Sequence, residues 1–211
     1  MTDLCTASPR DFLLVAGPAS RPAALLRNLS HHPEIVAPPP MSIGMALHQA
    51  ARVAMRSEPA GDFPATVAVG RQNGGIALAQ LFQSVRADAG DAAVVILHDP
   101  SGPLFPFLEP PAVSLLVLVR NAEAAAAAIG AVGIERVVAA ARDALTAFQA
   151  RVASFGIPVE RLVSIEEDRL DADPEAGLAE VCRILGVAAD PATIAAMLDP
   201  ERVDVRARGD A

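Results

Sequence analysis

Four short apolar runs punctuate the chain: Phe12 to Ala16 (FLLVA), Ala92 to Leu97 (AAVVIL), Val113 to Val119 (VSLLVLV) and Leu162 to Ile165. They are too brief for core helices and nearly free of polar positions, which is the pattern of strands buried on both faces. A weaker run, Ala65 to Val69, reads as a further strand. Helical segments are predicted over Pro22 to Leu29, Ser42 to Arg56, Gly75 to Ala87, Pro174 to Leu185 and Pro191 to Leu198. An Ala-rich region from about Asn121 to Phe155 reads as helix with a break near Gly130 to Gly133. Pro33 to Pro40 and Ser57 to Pro64 read as loops, and the polar tail from Asp204 is expected to fray. Apolar strands alternating with helices predict an α/β fold: a parallel sheet flanked by helices, in three layers. Ligands of such sheets sit beyond the carboxyl ends of the strands. The positions to inspect are therefore those after Ala16, Leu97 and Val119.

Composition narrows this picture. A length of 211 residues suits one domain spanning residues 1–211. All seven aromatic residues are Phe, so the core must be mainly aliphatic. Every basic residue is Arg, and the formal net charge of −8 argues against nucleic acid or an anionic membrane as partner. Glu123, Glu135 and Arg136 interrupt the one Ala-rich stretch that approaches the length of a membrane span, and the first residues lack a signal-peptide pattern. A cytoplasmic location is expected. Cys5 and Cys182 are too few and too far apart for a disulfide framework or a zinc site, and read as reduced thiols.

Four stretches in order resemble motifs of the sulfotransferases that use 3'-phosphoadenosine-5'-phosphosulfate as donor. FLLVAGPASRPAALLRNLSHHPEIV (Phe12 to Val36) is similar to the family's strand, its G-x-P-R-S-G-T-T loop, the L-L-R-x-L-L helix and an H-P-E/D-V segment. VVILHDP (Val94 to Pro100) looks like a strand followed by K-D-P, and LVLVRNAEAAAAA (Leu116 to Ala128) like L-V-R-D-P-R-D-V-V-A-S. Leu162 to Val187, ending IEEDRLDADPEAGLAEVCRILGV, resembles the closing V-x-Y-E-D-L-x-x-D-P-E segment with one extra residue near Arg169. The resemblance implies a P-loop-like sulfotransferase fold.

It also implies a donor site, and here the chain departs from the family. A helix start after a strand favours an anion through its free N–H groups and dipole. The resemblance places the donor cradle on Gly17, Ser20 and Arg21. Counting back from Leu25, however, R-S-G-T-T becomes Ser20, Arg21, Pro22, Ala23 and Ala24. Both hydroxyls are lost, and Pro22 replaces a glycine with a residue that has no N–H. At roughly 1.5–3 kcal/mol for each hydrogen bond to a charged group, two lost hydroxyls cost about 3–6 kcal/mol of donor binding. An ordinary helix start, with Ser20 or Arg21 as its cap, is the plainer alternative.

Arg120 falls where the family's arginine grips the donor's 3'-phosphate, with Ala128 in place of a helper serine. A strand-end ion pair to Asp99 or Glu123 would account for it equally well. His98 occupies the place of the K-D-P lysine and is the candidate base, though a lone strand-end histidine is more often structural. His31 and His32 flank a helix end and read as caps, and His48 as helix surface. Asp171, Asp173 and Glu175 read as an acidic lead-in to a helix, with no metal required.

Two functional expectations follow. One is a non-catalytic sulfotransferase-like domain that binds a protein partner or forms a homo-oligomer, with no cofactor. The other is a divergent active enzyme that uses Arg21, Arg120 and His98 to move a sulfuryl group from that donor to a small hydroxyl or amine acceptor.

Overall fold

The computed structural model describes residues 10–39, 63–90, 92–98, 114–129, 134–153 and 158–199. The predicted helix Ser42 to Arg56, with His48, and also Cys5 and Asp99, lie outside them.

Five parallel strands form one sheet: β1 (Asp11–Ala16), β2 (Ile35–Val36), β3 (Val94–His98), β4 (Ser114–Val119) and β5 (Leu162–Glu166), in the order β2-β3-β1-β4-β5. The chain lays strands on one side of β1 and then crosses to the other, so the crevice for a ligand opens at the carboxyl end of β1. Alternation along each strand divides the core in two. Phe12, Leu14, Val94, Ile96, Leu116 and Leu118 face one side, where helices α1 (Pro22–Ser30), α6 (Pro174–Leu185) and α7 (Pro191–Leu198) supply Leu25, Leu29, Val181, Leu185 and Met197. Leu13, Val95, Leu97, Leu115 and Val117 face the other, against Leu78 and Phe82 of α2 (Phe63–Ala89) and Val152 of α4 (Ile134–Ala153). The layers are helix, sheet, helix, as predicted.

Two expectations are corrected. Ala65 to Val69 is not a strand but part of α2, which runs without interruption from Phe63. A five-residue apolar run has no periodicity that separates strand from helix, and the glycines at 70, 74 and 75 suggested a boundary that the helix ignores. Conversely, Ile35 and Val36, read as loop among prolines, pair with Val94 and Val95 as the edge strand β2. Their burial earns them a place in the sheet despite its two-residue length.

His32 is not a helix cap. It is buried, its Nε2–H donates to the Ala188 carbonyl at 2.8 Å, and its Nδ1 accepts from the Glu34 amide at 3.1 Å. Glu34 in turn accepts the Ala188 amide at 2.9 Å, so the approach to β2 is clipped to the turn between α6 and α7. His31 does end α1, donating its N–H to the Asn28 carbonyl.

The Ala-rich region forms α3 (Ala122–Ile129) and α4, which bracket the expected break. Phe148 and Val152 of α4 pack on the sheet. Cys182 is buried beside Met197, where desolvation, and then the negative charge of Glu34, push its thiol pKa up to about 11. Among the described residues no helix is long and apolar enough to cross a membrane.

Candidate functional site

The carboxyl ends of β1, β4 and β5 lie side by side, because Ala16 pairs with Leu118 and Val119 with Glu166. The turn leaving β1 is tight. Gly17 donates its N–H to the Leu118 carbonyl at 2.8 Å and accepts the Ser20 amide at 3.2 Å. Pro18 and Ala19 occupy the middle of this turn, and Ala19 has a φ of 61°. Proline second and a left-handed residue third is the arrangement of a type II turn, whose third place favours glycine. A Cβ on Gly17 would meet the Leu118 carbonyl at 3.2 Å and the Phe148 ring at 3.4 Å, so the turn is pressed onto β4 and α4.

Ser20 does not cap α1. Its hydroxyl donates to the Leu118 carbonyl at 3.4 Å, on the sheet side of the turn. Arg21 sits at the cap position, also without a side-chain cap, and Pro22 opens the helix. Instead the Arg21 N–H donates to both carboxylate oxygens of Glu167, at 3.0 and 3.2 Å, and its Nε donates to Glu167 Oε1 at 2.9 Å. Its Nη2 reaches Asp171 at 2.5 and 2.6 Å. Both acids belong to the short helix α5 (Glu167–Ala172), which follows β5 directly. Glu167 is 4% exposed. The hydrogen bond to Glu167, and the charges of Asp171 and Glu167, hold Arg21 more firmly protonated than usual.

Arg120 joins the same cluster. Its side chain is only 10% exposed, and its Nη2 donates to Asp171 Oδ2 at 3.0 Å. Its Nη1 stands 3.8 Å from Glu167 Oε1 and its Nε 3.8 Å from Asp168 Oδ1. That buried Nε makes no hydrogen bond among the described residues. Of the partners expected for Arg120, Glu123 pairs instead with Arg142 across α3 and α4, and Asp99 lies outside the described residues; Asp168 also accepts the Asn121 amide at 2.7 Å. Of the acidic lead-in, Asp173 caps α6 by accepting the Ala176 amide, but Asp171 is the hinge of the arginine cluster.

His98, at the end of β3, is buried opposite Leu14, and its Nδ1 lies 3.1 Å from the Leu14 carbonyl. A carbonyl only accepts, so Nδ1 carries the proton and Nε2 is left as the basic nitrogen. The structure thus brings Gly17, Ser20, Arg21 and Arg120 to one rim, with His98 one strand away. The sequence reading missed the acids facing them, Glu167, Asp168 and Asp171. Their crowding at the end of a strand is the signal that marks them. A groove of about 550 Å³ opens on the other flank of β5, lined by Ile165, Leu170, Val181 and Ile184, and includes none of the rim's arginines.

With the geometry in place, comparison with solved structures decides the architecture. A sulfotransferase domain from the Synechococcus PCC 7002 olefin synthase superposes with a TM-score of 0.58 at 18% identity, over 99% of this chain and 83% of that one. A sulfotransferase domain from the curacin biosynthetic pathway superposes with a TM-score of 0.55 at 16% identity, over 94% and 80% of the respective chains. This is a sulfotransferase fold. No family profile and no curated protein matches the sequence. On this sulfotransferase-like scaffold the Arg21 N–H, the Arg21 Nε and the Arg120 Nη2 donate to carboxylates of the chain itself.

Proposed function

We propose that this chain is a non-catalytic sulfotransferase-like domain that serves in partner or ligand binding rather than in sulfuryl transfer. The observation that carries this reading is the bond from the Arg21 backbone N–H to Glu167. At a phosphate-binding turn that N–H is the group offered to the ligand; here a buried carboxylate takes it. The neighbouring positions point the same way. Ser20 spends its hydroxyl on Leu118, Pro22 has no N–H to give, and alanines stand where two hydroxyls would help.

Calorimetry with 3'-phosphoadenosine 5'-phosphate tests it. No heat of binding is expected at sub-millimolar concentration. A dissociation constant in the micromolar range, abolished by Arg120→Ala, would overturn the proposal in favour of an active divergent sulfotransferase with His98 as base. Light scattering supplies the second arm: a dimer or a larger complex is expected, and a strict monomer with no co-purifying partner counts against the binding role.

A further inference from the structure

One carboxylate at the rim has a position unlike the others. Asp171 Oδ2 lies 2.5 Å from Nη2 of Arg21 and 3.0 Å from Nη2 of Arg120, so a single anionic oxygen joins two guanidinium groups from different strand ends. Glu167 is buried, and its main tie is to Arg21. Asp168 is committed to the Asn121 amide. Among the described residues Asp171 has no such second commitment: its side chain is 44% exposed, and both of its oxygens point to arginine.

We infer that Asp171 is an internal counter-anion: it fills the seat that Arg21 and Arg120 would offer to a doubly charged oxyanion, and so sets what this rim accepts. The inference rests on the reading above that the rim does not hold a donor. Three features support it. The bridging geometry is the one a sulfate or phosphate oxygen adopts between two arginines, where charge-assisted bonds run to about 2.7–2.9 Å. Arg120 is nine-tenths buried and keeps an Nε–H without a hydrogen bond, a donor still to be satisfied in the same cluster. Finally, α5 is a six-residue helix at the rim, so the seat's occupant is carried on a small element that the sheet does not enclose.

The test is to empty the seat without unfolding the chain. Asp171→Asn keeps size and polarity and removes the charge. Titration with inorganic phosphate and with inorganic sulfate, followed by calorimetry, should show at least tenfold tighter binding than for the native chain. Asp143→Asn, at an exposed carboxylate of α4, is the control: it changes the net charge equally but leaves the Asp171 bridge in place, so its affinity should stay within about twofold of native. Equal gains in the two variants would mean that charge alone matters and would overturn the inference, as would no gain in Asp171→Asn. Asp171→Ser replaces it should the asparagine variant fail to fold. A third titration, with 3'-phosphoadenosine 5'-phosphate, separates the two proposals. Micromolar binding by the native chain defeats the reading of function, whereas the role of Asp171 is judged solely on the variant-to-native ratio for inorganic phosphate.

Discussion

Both ends of β1 are held by arginine against a buried carboxylate, and the two ends are wired differently. At the amino end Asp11 is 3% exposed and pairs with Arg86 of α2, whose Nη1 also donates to the Ala92 carbonyl at 2.7 Å. That tie fastens the helix of one layer to the sheet. At the carboxyl end two arginines meet three acids, and Glu167 and Asp171 each stand within 4 Å of both. The Arg86 tie joins a helix to the sheet, whereas the arginines of the carboxyl end share their acids, so that the loss of one leaves the other held. The amino end is thus built for permanence and the carboxyl end for exchange, which is where a parallel sheet places its ligands.

Breaking the amino-end tie should have the largest effect. Arg86→Ala removes the guanidinium of α2 that meets the buried Asp11 carboxylate, and a loss of about 3 kcal/mol in unfolding free energy is expected from chemical denaturation. Arg120→Ala should cost less, about 1.5 kcal/mol, because Glu167 and Asp171 keep Arg21. If the two variants lost equal stability, the contrast between the Arg86–Asp11 tie and the shared cluster would collapse. The smallest effect is expected at the turn. Ala19→Gly should stabilise the chain by about 0.5 kcal/mol: a left-handed backbone costs alanine about 1 kcal/mol, and the freedom glycine adds to the unfolded chain offsets part of that relief. A thermal midpoint that falls in this variant would show that the turn is not strained at Ala19.

The interior was largely legible before the structure because burial on both faces writes itself as uninterrupted aliphatic sequence. Phe12 to Ala16, Ala92 to Leu97 and Val113 to Val119 each coincide with a strand of the sheet to within two residues at either end. Ile35 and Val36 escaped since two residues between prolines carry no pattern. Ala65 to Val69 misled since alternation over five residues is shared by both kinds of element. At the rim the arginines were legible from the resemblance of their surroundings, but their partners were not. Asp171 is 150 residues from Arg21 and 51 from Arg120, and no local periodicity reports a pairing at that range. Read locally, Asp171 served the dipole of the next helix; only the adjacency of β1, β4 and β5 reveals its other use.

The span of these pairings bears on how the molecule is assembled. Arg21 is made 146 residues before the glutamate that takes its amide. Until β5 and α5 have joined the sheet, the turn after β1 and the end of β4 carry positive charge without the acids Glu167, Asp168 and Asp171 that meet it in the finished fold. Completion of the last strand is therefore also the step that turns this edge of the protein from one that attracts anions into one that is self-neutralised, and a fragment stopping short of Glu167 would keep the earlier character.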